Sequence, residues 1–270
     1  MTYKAIVLDL DGTLTNNKKE ITPLTKEALM TAQRRGMRVI LASGRPTYGC
    51  RPVADELNIG SYDGYVMAYN GGCVTRWQDK TIIYNQTLDA ELVPVLFKAA
   101  TEAPHPFNIL TYQGESIAAT DISDKYVQHE AFINKMPLVQ YDDFTNQVQL
   151  PINKCLIVGD PTPLAQLEKE LAEELQGKCG VYRSADFFLE CVPNGIDKAA
   201  SLSRLIKTLG LKREEIIAVG DGYNDISMIE YAGLGVAMAN AASEVKAKAD
   251  FVTLSNEEDG VAHVLKEFCD

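Results

Sequence analysis

Short apolar runs that end in acidic or small polar residues constrain this chain more than any other feature of its sequence. The first run, Ala5–Leu8, leads directly into Asp9-Leu10-Asp11-Gly12. A continuous apolar run closed by turn residues is typical of a strand buried on both faces, as in a parallel sheet. We expect further strands of this kind at 38–42, 64–68, 216–219, 235–238 and 251–253.

The spacing of these strands predicts the fold class. Helical stretches separate them, the first of which begins with Thr22 as cap and Pro23 at its first position. Strands that alternate with helices indicate an α/β fold with a doubly wound, mainly parallel, Rossmann-like sheet. Between residues 84 and 190 this alternation of strands and helices is absent. We expect there a helix at 89–101, strand-rich segments and a strand–helix unit at 154–176. We therefore expect an inserted α+β domain, 84–190, between two parts of the first domain, 1–83 and 191–270.

Composition limits the classes of partner. The net charge of −11 argues against nucleic-acid binding, since a phosphate backbone is bound by clustered Lys and Arg. It does not exclude a small phosphorylated substrate, because a bound divalent cation reverses the local field. Six scattered cysteines give no zinc or disulfide spacing, which favours a reducing cytoplasm. No apolar run is long enough for a membrane span or a signal peptide, so we expect a soluble protein.

Acidic side chains follow two of the expected strands. Asp9 and Asp11 follow the first, and Asp221 and Asp225 follow the strand at 216–219. In an open parallel sheet, ligands bind beyond the carboxyl ends of the strands. Four carboxylates gathered there would repel one another unless a cation lay among them, and oxygen ligands without His or Cys select Mg²⁺. The sequence therefore predicts a magnesium site, provided that the strands are neighbours.

The spacing of Asp9 and Asp11 suggests phosphoryl transfer. Alternate residues of an extended segment face the same way, so one carboxylate can attack phosphorus while the other protonates the departing alcohol and then activates water. Other groups are candidates for binding the phosphoryl oxygens, and Lys198 is a candidate for neutralising their charge. These oxygen-binding groups are the hydroxyl of Ser43 and the amides of Leu10 and Gly44.

Four segments, in order, make the chain recognisable: Asp9–Thr13, Ser43–Arg45, Lys198 and Gly220–Asp225. They resemble the four motifs of the haloacid dehalogenase (HAD) superfamily of hydrolases. Asn70-Gly71-Gly72 and the place of the insertion are similar to its Cof-type sugar-phosphate phosphatase branch. One departure is Ala199, where the family often has Gly after the motif Lys.

The resemblance implies an Mg²⁺-dependent phosphatase of a small phosphorylated metabolite, with the inserted domain as a cap over the catalytic core. It implies a nucleophile, Asp9, and a general acid and base, Asp11. It further implies that Ser43 and Lys198 bind the phosphoryl group and that Asn224 contacts phosphate or substrate. The metal-site residues would be Asp9, Asp11, Asp221 and Asp225, with Asp221 a direct ligand and Asp225 a direct or more distant one.

Other functions fit these motifs less well. A dinucleotide-binding module would need a glycine where Asp225 stands, and Asp221 would repel a diphosphate. A phosphorylated signalling switch should lack a water-activating residue such as Asp11, and a dehalogenase needs neither Asp11 nor the metal ligands. A phosphosugar mutase and a phosphatase of pyridoxal phosphate or FMN remain alternatives.

Several residues have no assigned role in this interpretation. His105, His129 and His263 lie outside every motif, and in the inserted domain only Arg183 is an obvious candidate for contacting an anion. We expect neither a nucleic-acid nor a membrane partner. The expected assembly is a monomer or a weak homo-oligomer.

Overall fold

The computed structural model describes residues 3–269. Its strands are β1 (Ala5–Leu8), β2 (Arg38–Ala42), β3 (Tyr65–Ala68), β4 (Cys73–Arg76), β5 (Thr81–Asn85), β6 (Asn108–Gln113), β7 (Ser116–Ala119), β8 (Leu138–Gln140), β9 (Cys155–Val158), β10 (Cys179–Ala185), β11 (Phe188–Pro193), β12 (Ile216–Gly220), β13 (Leu234–Ala237) and β14 (Phe251–Val252). Its helices are α1 (Pro23–Arg34), α2 (Thr47–Glu56), α3 (Leu92–Thr101), α4 (Lys125–Asn134), α5 (Phe144–Gln147), α6 (Pro161–Glu174), α7 (Lys198–Thr208), α8 (Ile226–Tyr231), α9 (Ser243–Lys246) and α10 (Gly260–Cys269). Within this range no helix combines the length and the apolar character that crossing a bilayer requires.

The chain divides into two compact units. The first holds the described residues up to Tyr84 together with those from Asp197 onward, and the second is Asn85–Ile196. The second division lies at Asp197, later than the boundary expected after residue 190. The reason is that β11 continues past that point and stays paired with β9 and β10.

The first unit is built on an eight-stranded sheet in the order β14-β13-β12-β1-β2-β3-β4-β5. Its strands from β14 to β3 are parallel to their neighbours, whereas β4 runs antiparallel to β3. The predicted doubly wound α/β fold is therefore confirmed. The extension of the sheet by β4 and β5 was not predicted.

Both faces of this sheet are covered, which explains why its central strands are apolar throughout. Ile6 and Leu8 of β1 belong to a buried cluster that also contains Leu29 of α1 and Val264 of α10. Ala5 and Val7 of β1 belong to a second cluster, with Leu202 and Leu205 of α7 and Met228 of α8. Alternate residues of β1 thus pack against helices on opposite faces of the sheet.

The strand register brings three chain segments to one edge of the sheet. Leu8, the last residue of β1, is aligned with Val219 of β12 and with Leu41 of β2. The residues that follow these strands therefore emerge side by side, at the carboxyl ends where ligands bind in such sheets.

The second unit is built on a six-stranded sheet in the order β10-β11-β9-β6-β7-β8. Its pairs are antiparallel except β7 with β8. Helices α3 and α6 cover one face through Leu96, Leu164 and Leu171. Arg183 of β10 forms an ion pair with Glu168 of α6, Nε to Oε2 at 2.8 Å, so its charge is balanced within the unit.

Candidate active site

Asp9 lies where the carboxyl ends of β1, β2 and β12 meet. It follows β1 directly, and its N–H donates a hydrogen bond to the carbonyl of Val219 at 3.1 Å. Asp9 is 7% exposed, so its carboxylate is almost wholly removed from water. A buried carboxylate needs compensating partners, and the neighbouring strands supply them.

Lys198 is the main compensating partner. It is the first residue of α7, whose N-cap Asp197 accepts a hydrogen bond from the N–H of Ala200. Its ammonium donates to Asp9 Oδ1 at 2.8 Å, to Asp225 Oδ1 at 2.6 Å and to the carbonyl of Ala42 at 2.8 Å. Burial favours the neutral amine, but the charges of Asp225 and Asp9 outweigh it and raise the pKa of Lys198. All three ammonium hydrogens are thus used inside the site.

A third carboxylate, that of Asp221, lies beside the two that Lys198 contacts. One oxygen from each of Asp9, Asp221 and Asp225 lies within 4.8 Å of the others. Burial first, and then the charge of Asp225, raise the pKa of Asp9 to about 8 despite the opposing effect of Lys198. Burial also raises the pKa of Asp221 to about 6. The cluster therefore has more negative charge than the protein balances.

These donors fit one divalent cation. Three carboxylates and one ammonium leave a net charge of −2, which a single divalent ion neutralises. The side chains offer only hard oxygen ligands, the type that Mg²⁺ prefers over softer metals. Among residues 3–269 no other set of three His, Cys, Asp or Glu side chains is gathered in this way.

Asp225 also accepts hydrogen bonds from the backbone of the loop that follows β12. It is fully buried, and its Oδ2 accepts hydrogen bonds from the N–H groups of Asp221 and Gly222 at 3.0 and 2.9 Å. One of its oxygens thus shapes the turn that carries Asp221, and the other holds Lys198.

Asp221 is oriented by two residues to which the sequence interpretation gave no role. Thr13 Oγ1 donates to Asp221 Oδ1 at 2.6 Å, and Asn240 Nδ2 lies 3.4 Å from Oδ2. Asn240 Nδ2 also donates to the carbonyl of Gly12 at 2.8 Å. Asn240 follows β13, a parallel strand of the same sheet, and that position is the signal from which it could have been found.

Asp11, expected as a fourth metal-binding carboxylate, lies outside the cluster. Its oxygens accept hydrogen bonds from Arg45 Nε at 2.7 Å, Arg45 Nη2 at 2.6 Å and Lys19 Nζ at 2.6 Å. Burial alone would raise the pKa of Asp11, but these two cations lower it below its ordinary value. The carboxylate is satisfied by two basic side chains and is not left to be balanced by a metal ion.

The predicted phosphoryl-binding residues lie on the same edge. Ser43 follows β2, is 2% exposed, and its Oγ accepts a hydrogen bond from the N–H of Arg45 at 3.1 Å. Asn224 Nδ2 donates to Asn70 Oδ1 at 2.9 Å, and the N–H of Asn70 donates to the carbonyl of Ser43. The side chain of Leu10, by contrast, is fully buried in the core, so only its backbone can serve a ligand.

Comparison with known proteins agrees with this geometry. The family model for haloacid dehalogenase-like hydrolases matches residues 6–265. "Putative phosphatase YxeH" of Bacillus subtilis is 33% identical over 267 residues, which are 98% of this chain and 98% of YxeH.

Solved structures give the same result. A haloacid dehalogenase-like hydrolase from Bacteroides thetaiotaomicron superposes with a TM-score of 0.96 at 52% identity, covering 98% of this chain and 99% of the other. The HAD subclass IIB sugar phosphatase BT4131 superposes with a TM-score of 0.81 at 25% identity, covering 98% of both chains. The family predicted from the motifs is therefore confirmed, and this chain belongs to the haloacid dehalogenase-like hydrolases.

Proposed function

We propose that this chain is a magnesium-dependent phosphatase that moves the phosphoryl group of a small phosphorylated metabolite to Asp9 and then to water. The observation that carries the proposal is the contact of the Lys198 ammonium with both Asp9 and Asp225 inside a cluster of three carboxylates. Such a site holds a nucleophile beside the positive charge that a transferring phosphoryl group needs. The names of two similar proteins, "Putative phosphatase YxeH" and the sugar phosphatase BT4131, point the same way.

In the first half of the reaction, a carboxylate oxygen of Asp9 attacks phosphorus. The new O–P bond forms as the ester P–O bond breaks, and the bonding electrons leave with the alcohol oxygen. A proton from Asp11 neutralises that oxygen. The ammonium of Lys198 stabilises charge on the phosphoryl oxygens, and Ser43 with the amides of Leu10 and Gly44 orients them. Asp9, Asp221 and Asp225 would hold Mg²⁺, which when bound supplies further neutralising charge.

In the second half, water attacks the phosphorus of the aspartyl-phosphate. Asp11, now a carboxylate, accepts a proton from this water as the Asp9 O–P bond breaks and inorganic phosphate is released. The contacts of Asp11 with Arg45 and Lys19 suit this ionised form. Arg45 and Lys19 lower the pKa of Asp11, whereas the dianionic phosphate of a bound substrate raises it. A nearby negative charge favours the protonated carboxyl, which the first half of the reaction requires.

For the substrate we favour a sugar phosphate, and we assign the unit Asn85–Ile196 the role of a cap that selects it. The similarity to a protein named as a sugar phosphatase supports this choice. A phosphosugar mutase has the same first half-reaction, and a phosphorylated cofactor such as pyridoxal phosphate or FMN has the same ester chemistry. We propose a cytoplasmic location, which fits a phosphorylated metabolite as substrate.

Release of phosphate from 4-nitrophenyl phosphate, with Mg²⁺ and with EDTA, tests the proposal. We expect release that depends on Mg²⁺ and is lost in Asp9→Asn. Metal-independent release, or full activity of Asp9→Asn, would refute the mechanism. A panel of sugar phosphates, pyridoxal phosphate and FMN then ranks substrates by kcat/KM. Conversion of a sugar 1-phosphate into its 6-phosphate without phosphate release would instead identify a mutase.

A further inference from the structure

The side chain of Lys19 contacts Asp11 from a turn whose backbone is fixed by several hydrogen bonds. The backbone of Lys19 is left-handed, with φ of +62°, a conformation that is uncommon for residues other than glycine. The N–H of Lys19 donates to the carbonyl of Asn16 at 2.9 Å, and Asn16 Oδ1 accepts from the N–H groups of Lys18 and Glu20 at 3.0 Å each. Strained backbone of this kind persists only where the surrounding contacts enforce it.

The contact of Lys19 with Asp11 complements that of Arg45. Arg45 approaches in a fork, with Nε on Oδ2 and Nη2 on Oδ1, and its side chain is 8% exposed. Lys19 Nζ lies 2.6 Å from Oδ1 as well, so both cations meet at one oxygen. With both oxygens engaged from two directions, the carboxylate has one orientation in which all these bonds are kept.

From this arrangement we propose that Lys19 is a positioning residue for Asp11, holding the carboxyl group where it can exchange a proton with the leaving-group oxygen. The proposal rests on the proposed function, since it gives Lys19 a task in that reaction. Lys19 acts through Asp11. Its loss should therefore affect proton transfer to the leaving group more than attack by Asp9 on phosphorus.

Two aryl phosphates separate these effects in the full-length protein with Mg²⁺. Phenyl phosphate has a poor leaving group that needs a proton, whereas 4-nitrophenyl phosphate has a good one that needs it less. For Lys19→Met we expect kcat for phenyl phosphate to fall about tenfold, which is part of the roughly 10²–10⁴-fold that a general acid contributes. We expect kcat for 4-nitrophenyl phosphate to fall much less. Lys19→Arg should restore most of the phenyl phosphate activity.

Lys18→Met is the matched control, because Lys18 is exposed in the same turn and its backbone N–H bonds Asn16. It should leave both rates unchanged. Equal losses on the two esters in Lys19→Met, or no loss, would overturn the proposal. If the wild-type protein hydrolysed neither ester, the proposed function would fail. A crystal structure of Lys19→Met would then decide the positioning role, which an unmoved Asp11 carboxylate would disprove.

Discussion

The carboxylate of Asp221 lies directly against the backbone of Gly12. A Cβ atom at Gly12 would lie 2.3 Å from Asp221 Oδ2, and Gly12 has a φ of +84°. Both the conformation and the space therefore require glycine at this position. Because Asp221 is one of the three carboxylates of the cluster, the turn after β1 helps to fix the proposed metal site.

We predict that Gly12→Ala weakens Mg²⁺ binding by about 10–100-fold, the range found when groups that orient metal ligands are changed. The added methyl group must displace the carboxylate of Asp221. Titration calorimetry with Mg²⁺ measures the effect. Gly36→Ala is the control, since Gly36 has a φ of +94° but no neighbouring atom within 4 Å of an added Cβ. Both variants should lose stability, yet only Gly12→Ala should lose affinity, and equal affinities would contradict the prediction.

The protonation of the cluster predicts how stability depends on pH. The pKa of Asp9 is raised to about 8 by burial and the charge of Asp225, and the pKa of Asp221 to about 6 by burial, both from 3.8. Between pH 4 and 8 the folded metal-free protein keeps protons that the unfolded chain has released. The contribution of these two groups to the free energy of unfolding is therefore greatest below pH 4. It is lost as the pH rises through 6 and 8.

Magnesium should reverse this loss, because it binds the ionised carboxylates and replaces their protons. We predict that a fixed Mg²⁺ concentration raises Tm more at pH 8 than at pH 5.5, as measured by differential scanning fluorimetry. Ca²⁺ at the same ionic strength shows how much of the shift is specific for Mg²⁺. A larger Mg²⁺ shift at pH 5.5 would be incompatible with the protonation described here.

Asp9→Asn should abolish turnover and yet stabilise the metal-free protein at pH 8. The amide cannot serve as the nucleophile, and it removes a buried negative charge that Asp225 and Asp221 repel. Phosphate release and Tm in EDTA measure the two effects. Asp186→Asn, at an aspartate whose side chain is 85% exposed, should change neither. A lower Tm for Asp9→Asn would show that the charge on Asp9 is well compensated without metal.

The sheet, and most of the site residues that follow the carboxyl ends of its strands, could be predicted from the sequence for a physical reason. Apolar runs such as Ala5–Leu8 are recognisable because both faces of a parallel strand are buried, and parallel strands end at a common edge. Asp9, Asp221 and Asp225 could therefore be placed together from their positions after strands. The burial of Lys198 had no such basis in local pattern and was not predicted, although the residue itself was a candidate for neutralising the phosphoryl charge.

What could not be predicted depends on contacts between distant loops. Nothing in the sequence near Asp11 shows that Lys19 returns to it through a left-handed turn, or that Arg45 takes both of its oxygens. The spacing of Asp9 and Asp11 suggested one shared site, yet the two carboxylates have different partners. Strands β4 and β5 were missed because their short runs carry polar residues and lack the continuous apolar pattern of the buried strands.

Lys198→Met should be the most destabilising single change in the site. Lys198 is 1% exposed and bonds two buried carboxylates, so its removal leaves uncompensated buried charge that costs about 3–5 kcal/mol. Chemical denaturation of the metal-free protein measures the loss. Lys207→Met, at an exposed lysine on the same helix, is the control and should change stability by less than about 0.5 kcal/mol.

The same variant separates a lost charge from a lost contact. With all three carboxylates ionised, as at pH above 8, loss of the ammonium changes the net charge of the cluster from −2 to −3, so Mg²⁺ should recover more stability in Lys198→Met than in the wild type. Adding Asp225→Asn should likewise recover part of the loss, because it removes one of the stranded charges. If neither Mg²⁺ nor Asp225→Asn restores stability, Lys198 stabilises the fold mainly by packing, and the electrostatic account of this cluster is wrong.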